Sequence, residues 1–476
     1  MFDVIVIGGG VIGGAILREL TKYRLKVCLL EKEGDVCMGQ SKANSGIVHA
    51  GFDAAEGSLK ARFNVEGNRL MYDYAKELGV KCVKNGSLVV AFSQEELEQL
   101  QSLKARGEKN GVPDLKIIGA DELKKLEPNI SDKALGALYA PTAGIVCPYE
   151  LTIASIGNAM DNGAQLYCDF KVESIKKEGD IFRVATKDGR EVIGELVINC
   201  AGLCAGEIAK LAGDPSIHIG GRKGEYLLLD RESGDFVSHT LFFTPTKAGK
   251  GILVARTVDG NILLGPTSEE TESPLTDTSA SGLAAVTDKA KEMCPGVPLY
   301  NTITSFAGVR AYSDRHDFIL EESSCVKGLI HCAGIESPGL TAAPAIAKYV
   351  VEELVSEHLP LKVNPAFNGT RVSDSFFKDM SLEEKNALIK KDPAFGRIVC
   401  RCEEVTEGEI LHAIKSNPPA RNIDAVKRRT RSGMGRCQGG FCQPQIAELI
   451  ASELNIALEE VTKCGRGSNL LTEACK

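Results

Sequence analysis

Four cysteines near the C-terminus have the residue type and spacing for metal chemistry. Cys400 and Cys402 form a C-x-C pair in IVCRCEEV, Cys437 and Cys442 form a C-x4-C pair in GRCQGGFCQP, and thirty-four residues separate the pairs. Four thiolates in two tight pairs can grip a small iron–sulfur cluster, which moves single electrons. A structural zinc site is the other metal reading, although zinc ribbons usually space each pair as C-x2-C. Disulfides are disfavoured, because the chain opens on an apolar strand rather than a secretory signal and its thiols are expected to stay reduced. Gly439 and Gly440, between the last two cysteines, let backbone N–H groups approach sulfur. Basic residues crowd the same segment: Arg397, Arg401, Lys427, Arg428, Arg429, Arg431 and Arg436. Net charge −8 and pI near 5.6 argue against nucleic acid as their partner. The expectation is that they offset an anionic cluster or dock a partner.

A second constellation opens the chain. Gly8-x-Gly10-x-x-Gly13 closes an apolar strand and starts a helix, and Glu31 ends the next strand. Gly8 permits the tight turn, Gly10 lets the backbone approach a pyrophosphate, and Gly13 lets helix and strand pack closely. The phosphates would rest on free N–H groups at the helix N-terminus. Glu31 would accept from ribose hydroxyls and repel a 2′-phosphate, which disfavours NADP. FAD and NAD share this fingerprint, and the next segment favours FAD. Gly39 to Gly51 is a run of small polar residues, including Ser41, Asn44, Ser45 and Gly46, and it contains His49. In FAD folds the chain after the second strand wraps back along the pyrophosphate to the isoalloxazine, where small residues permit close approach.

A flavin that oxidises an anionic substrate works beside a group that can take a proton and a cation that can hold the anion. His49 is the base candidate, since imidazole titrates near neutrality and the residue ends the flavin-contacting segment. Arg310, in AGVRAYSDRHDF, is the candidate anion clamp, its fork matching carboxylate or phosphate oxygens. Tyr226 and Lys250 are weaker candidates on a cap sheet, with Lys250 able to add a second positive charge for a phosphate dianion. The run Gly334 to Thr341 leads into a helix; the backbone N–H groups of Gly334, Gly339, Leu340 and Thr341 would face the flavin region that gains negative charge on reduction. Pro338 and Pro344 suit a loop and a first helical turn. Gly202 in NCAGLCA would let the backbone pass close to the cofactor. The remaining cysteines read as small buried hydrophobes.

These residues need a framework of at least two domains, since 476 residues exceed one ordinary core. Strand DVIVIG is continuously apolar, as a parallel strand buried on both faces should be. The helix Val11 to Lys22 and strand KVCLLE complete a βαβ unit. Buried strands are expected at Glu195 to Cys200 and Gly328 to Cys332, and a helix at Ala342 to Leu354. Between them YLLLD, TLFFTP, GILVAR and NILLGP suggest an antiparallel sheet. The fold class is α/β: a discontinuous Rossmann-like FAD-binding domain (1–85, 140–215 and 300–360), an antiparallel-sheet substrate cap (86–139 and 216–299), a connector (361–395) and a small iron–sulfur domain with a tail (396–476). No apolar run reaches membrane-spanning length. The expectation is a cytoplasmic protein, docked at a membrane only through a partner, with its oligomeric state open.

The motifs NSGIVHAGF, GSLKARFNVEG, GRKGEYLLLD, GNILLGPTSE, FAGVRAYSDRHDFIL and AGIESPGLTAAPAIA resemble the D-amino-acid-oxidase-like FAD superfamily, in the branch holding type 2 glycerol-3-phosphate dehydrogenases and oxidases and L-2-hydroxyglutarate dehydrogenases. The cysteine segment resembles the [2Fe–2S] domain of the bacterioferritin-associated ferredoxin type. Together they resemble the flavin subunit of anaerobic glycerol-3-phosphate dehydrogenases. The resemblance implies His49 as base, Arg310 over the flavin as substrate-binding arginine, and Ser337 in contact with substrate or flavin. It implies FAD and a [2Fe–2S] cluster as cofactors, a small anionic hydroxy substrate, and an electron-accepting subunit or quinone-linked partner. Glycerol 3-phosphate is the favoured substrate. L-2-hydroxyglutarate, an amino acid or amine, and a cluster-bearing subunit without its own turnover are the alternatives.

Overall fold

In the computed structural model, which describes residues 1–245, 251–373 and 376–473, the apolar strand Phe2–Ile7 sits in the middle of an eight-stranded sheet. Parallel neighbours flank it, Val27–Leu30 on one side and Glu191–Asn199 on the other. Gln165–Tyr167 extends the parallel run. Leu329–Ala333 adds a further parallel strand to Glu191–Asn199. The expected strand–helix–strand unit is present, with its helix at Val11–Thr21. That helix is buried along its whole length between the sheet and the helices Pro148–Asp161 and Gly339–Tyr349. All-round burial explains why VIGGAIL carries no polar stripe.

The cap is a nine-stranded sheet built from two stretches of chain. Most pairs are antiparallel as expected, but Thr240–Phe243 runs parallel to Ser87–Ala91. Those strands are distant in sequence, so no hairpin forces them antiparallel. The sheet boundary also differs from the expected break at 300. Strand Thr302–Ser313 pairs along its length with Ile219–Leu229, so Arg310 stands on the cap sheet. The segment 94–128 forms helices Gln94–Lys109 and Ala120–Leu126, with an edge strand, Lys116–Gly119, between them.

Helix Gly339–Tyr349 begins three residues before the expected start, which puts Pro344 inside it rather than in its first turn. The connector is ordered in part: Ser381 and Glu384 form a reciprocal cap on helix Leu382–Lys391. The C-terminal unit has its own core, with Val399, Ile410, Val426 and Ile446 among its members, around three helices. The last of these, Gln443–Leu454, follows directly on Cys442. Among the described residues no helix is long and apolar enough to cross a membrane.

Candidate active site and cluster centre

A cavity of about 1570 Å³ runs between the first sheet and the cap. Its floor is the glycine turn. Gly8 has φ +111°, and a Cβ there would lie 2.4 Å from the Cys200 carbonyl oxygen. A Cβ on Gly13 would lie 2.0 Å from the Gly8 carbonyl oxygen, so Gly13 serves helix–strand packing, behind the cavity wall. Gly10 faces the cavity, and a Cβ would crowd only Ser41 Oγ, at 3.2 Å. Ser41 Oγ accepts from the Val11 N–H at 2.9 Å. Glu31 accepts from the Gly9 N–H at 2.7 Å and the Glu33 N–H at 3.0 Å. Burial pushes its carboxyl up, against the pull of those two N–H groups. Two carboxylate oxygens offer about four acceptor sites, so Glu31 keeps capacity for ribose hydroxyls. Gly202 lies open, with nothing within 4 Å of a Cβ. These features fit an FAD pyrophosphate and ribose.

The segment after Gly39 forms one wall. Ser45, Gly46, Gly339 and Leu340 line the cavity. Asn44 also lines it, but its side chain folds the loop on itself, donating to the Gln40 and Ser41 carbonyls and accepting from the Gly46 N–H. Two of the expected cofactor-contacting residues are not on the cavity lining. Gly334 turns at φ +64° against Ser313 and does not reach the cavity. Thr341 is fully buried, where its hydroxyl accepts from the His49 N–H at 2.9 Å and donates to the Ile47 carbonyl.

His49 is held by its backbone from several sides. Besides Thr341, Asn64 and Asn68 donate to its carbonyl at 2.7 and 3.0 Å. Its Nε2 lies 3.3 Å from Ser337 Oγ, which brings together two residues 288 positions apart. The Phe242 ring packs 5.9 Å from the imidazole. Opposite stands the cap sheet. Arg310 reaches the cavity, and its Nη2 donates to the Thr267 carbonyl at 2.7 Å. Gly224, on the neighbouring strand, leaves room for it, since a Cβ there would lie 2.4 Å from that nitrogen. Tyr226 stacks on Phe306 at 4.7 Å and lies 3.4 Å from Ser45 Oγ. Lys250 lies outside the described residues.

The sequence did not single out three further charged residues on this cavity. Glu336 sits between Lys60 Nζ at 2.9 Å and Arg222 Nη1 at 3.4 Å. Only the adjacency of Glu336 to Ser337 could have drawn attention to it.

At the C-terminal centre, Cys402 and Cys437 bring their sulfurs to 3.6 Å, and Cys400 hydrogen-bonds with Cys442. That bond and the N–H groups of Gly433 and Glu403 lower the Cys400 thiol to about 6. The N–H groups of Gly439, Gly440 and Phe441 point at Cys437. Gly435 allows the two cysteine loops to meet, since a Cβ would lie 2.3 Å from that of Cys402. Two sulfur pairs flanked by N–H donors fit a cluster held as thiolates.

The basic run has a different task from the one expected. Arg428 and Arg429 bind Asp35, Arg431 binds Glu403 and Asp259, Arg436 binds Asp230 and Glu232, and Arg397 binds Glu407. Most of these carboxylates belong to the flavin and cap parts, so the arginines chiefly join domains. Among the other cysteines, Cys200 and Cys332 hydrogen-bond to each other behind the glycine turn, Cys325 is exposed, and Cys475 lies outside the described residues.

The sequence pattern of the FAD dependent oxidoreductase family matches residues 3–353, and that of the BFD-like [2Fe-2S] binding domain matches residues 398–452. The chain is 45% identical to a glycerol 3-phosphate dehydrogenase of Caloramator mitchellensis, over 100% of this chain and 99% of the relative. It is 29% identical to the mitochondrial L-2-hydroxyglutarate dehydrogenase of Pongo abelii, over 74% of this chain and 87% of the relative. The dithionite-reduced, FAD-bound L-alpha-glycerophosphate oxidase of Mycoplasma pneumoniae superposes with a TM-score of 0.75 at 31% identity, over 78% of this chain and 98% of that one. With its glycine turn, its flavin-side loop and its cap sheet in these positions, the chain belongs to the FAD dependent oxidoreductase family and carries a BFD-like [2Fe-2S] binding domain after it.

Proposed function

We propose that this protein oxidises sn-glycerol 3-phosphate at its secondary alcohol to dihydroxyacetone phosphate, and that the electrons leave to an external acceptor. The observation that carries the reading is Arg310, a cavity guanidinium whose partner is a backbone carbonyl rather than a carboxylate, on the same cavity as the His49–Ser337 pair. The likeness over the full chain to a glycerol 3-phosphate dehydrogenase supports the choice of substrate.

FAD, when bound, takes the hydride from the carbinol carbon, and the [2Fe–2S] cluster carries electrons onward singly. His49 takes the hydroxyl proton at Nε2. Ser337 Oγ holds that nitrogen in place until the substrate hydroxyl displaces it, and Thr341, Asn64 and Asn68 fix the backbone beneath it. Arg310 holds the phosphate through its fork of donors. Tyr226, backed by the stacked Phe306, bounds the cavity beside it. The acceptor is an electron-accepting protein or a quinone-linked partner, met in the cytoplasm or at a membrane surface.

Anaerobic stopped-flow mixing with glycerol 3-phosphate and, separately, L-2-hydroxyglutarate tests the reading. Fast bleaching of the flavin band by glycerol 3-phosphate, followed by loss of cluster absorbance, is the expected result. Bleaching by the hydroxyacid alone would overturn it.

A further inference from the structure

Arg222 stands directly opposite Arg310 on the adjacent antiparallel strand. Opposed residues on such a pair share one face of the sheet, with Cβ atoms about 4.5–5.5 Å apart. Both guanidinium groups therefore belong to the same wall of the cavity, and both line it. Like charges placed opposite each other destabilise a sheet unless something negative offsets them. Arg310 has no carboxylate partner among the described residues. Arg222 has two, but both are long: Glu336 at 3.4 Å and Glu270 at 3.7 Å. Charge-assisted arginine contacts normally close to about 2.7–2.9 Å. Arg222 is thus held near carboxylates without being saturated by them.

Its surroundings keep it in place while leaving its donors available. The guanidinium lies over the Tyr312 ring, 4.7 Å from the centroid. Gly220 makes room for that ring, since a Cβ would lie 2.5 Å from it. Glu336 does not depend on Arg222 for neutralisation, because Lys60 Nζ is 2.9 Å away and is fixed in turn by the His316 carbonyl at 3.0 Å. If Arg222 turned from Glu336 toward a ligand, Glu336 would keep Lys60 as its cation.

From this geometry we propose that Arg222 is the second cation of the substrate site, exchanging its loose contact with Glu336 for the phosphate and making the site selective for a dianion over a monoanion. The inference rests on the glycerol 3-phosphate reading and assigns the specificity of that same site. Arg310 alone matches one negative charge, and the Arg222–Arg310 rung matches two.

The test uses the holoenzyme and its Arg222→Met variant, which keeps an apolar stem against Tyr312. Isothermal titration with inorganic phosphate at pH 8, where the probe is mostly dianionic, reads binding without turnover. Phosphate affinity and 1/KM for glycerol 3-phosphate are expected to fall about 10- to 100-fold, the range for a hydrogen bond to a charged group, and kcat to fall much less. Wild type is expected to prefer glycerol 3-phosphate over its phosphate methyl ester, a monoanion, and Arg222→Met to lose that preference. Arg222→Lys should restore part of it. Glu336→Gln separates this role from a structural one: it removes the latch but keeps the cation, so phosphate affinity should hold or rise. Equal weakening in Glu336→Gln and Arg222→Met would make Arg222 a mere cap–flavin tie and overturn the proposal, as would unchanged phosphate binding in Arg222→Met. If wild-type flavin is not reduced by glycerol 3-phosphate, the substrate reading falls and takes this inference with it. If it is reduced and phosphate binding ignores Arg222, only this inference falls.

Discussion

Asp35, four residues beyond Glu31, accepts both terminal nitrogens of Arg429 in a fork, at 2.9 and 3.0 Å, and a further hydrogen bond from Arg428. One buried carboxylate on the flavin side thus anchors two arginines of the cluster domain. Burial pushes Asp35 up, but Arg429 and Arg428 outweigh it and hold the carboxyl below its usual range.

Asp35→Ala is expected to remove a shared carboxylate from two buried guanidinium groups at a cost of about 3–5 kcal/mol. The variant should show a lower Tm and faster proteolysis in the 361–395 segment. The acid dependence follows from the depressed carboxyl. Its stabilisation is fully present above the unfolded value of about 3.9 and is lost as pH falls through the lower folded value. Wild type should therefore lose more stability than Asp35→Ala when taken below about pH 4. Equal losses would remove Asp35 from the clamp.

His49→Ala should retain FAD, because no part of the imidazole supports the glycine turn. Substrate-driven flavin bleaching should slow by about 10²- to 10⁴-fold, the usual contribution of a positioned base. Ser337→Ala should cost less, since Ser337 only orients the imidazole. Turnover of His49→Ala within a few-fold of wild type would point to an amine-class substrate, whose oxidation needs no alcohol base.

Cys402→Ser is expected to separate the two half-reactions. The sulfur contact to Cys437 is lost, and cluster absorbance with it. Flavin bleaching by glycerol 3-phosphate should continue within a few-fold of the wild-type rate, while delivery to a protein acceptor stops. Loss of bleaching as well would mean that the cluster domain is needed to build the flavin site.

His331 gives a second pH signature. It is fully buried, with Nε2 3.1 Å from Asp214 and Nδ1 3.3 Å from the Asn199 amide. Burial pushes its pKa down, against the pull of Asp214. Below the ordinary value of about 6.5 the unfolded chain binds a proton that the folded one does not. Thermal stability should therefore decline as pH drops through about 6.5, and His331→Gln should flatten that slope.

The parts legible in the sequence are those fixed by local chemistry. The glycine turn and Glu31 announce themselves because a phosphate needs bare backbone and a ribose needs an acceptor. The four cysteines do so because a cluster needs sulfur. Arg222 was not legible, because its meaning comes from standing opposite Arg310, and cross-strand register is not written in local periodicity. The clamp was not legible either: Asp35 and Arg429 lie 394 positions apart. A run of arginines looks alike whether it faces a cluster or a distant carboxylate. Thr341 was read as a cofactor contact through the backbone N–H groups of the helix start; that its hydroxyl also braces the His49 backbone was not legible, because the two residues lie 292 positions apart.

Arg431 is the junction of three parts of the molecule. It donates to Glu403 beside Cys402, to Asp259 and Asn261 on the cap, and to Tyr149 at the start of a flavin-domain helix, whose hydroxyl donates in turn to the Met434 sulfur. A swinging carrier, which picks up electrons in one pose and delivers them in another, would have to break this buried knot on every cycle. The molecule is instead wired like a solid circuit. With the cluster domain tied to the flavin and cap parts by this knot, transfer between FAD and cluster would need no domain swing and is expected to be indifferent to solvent viscosity.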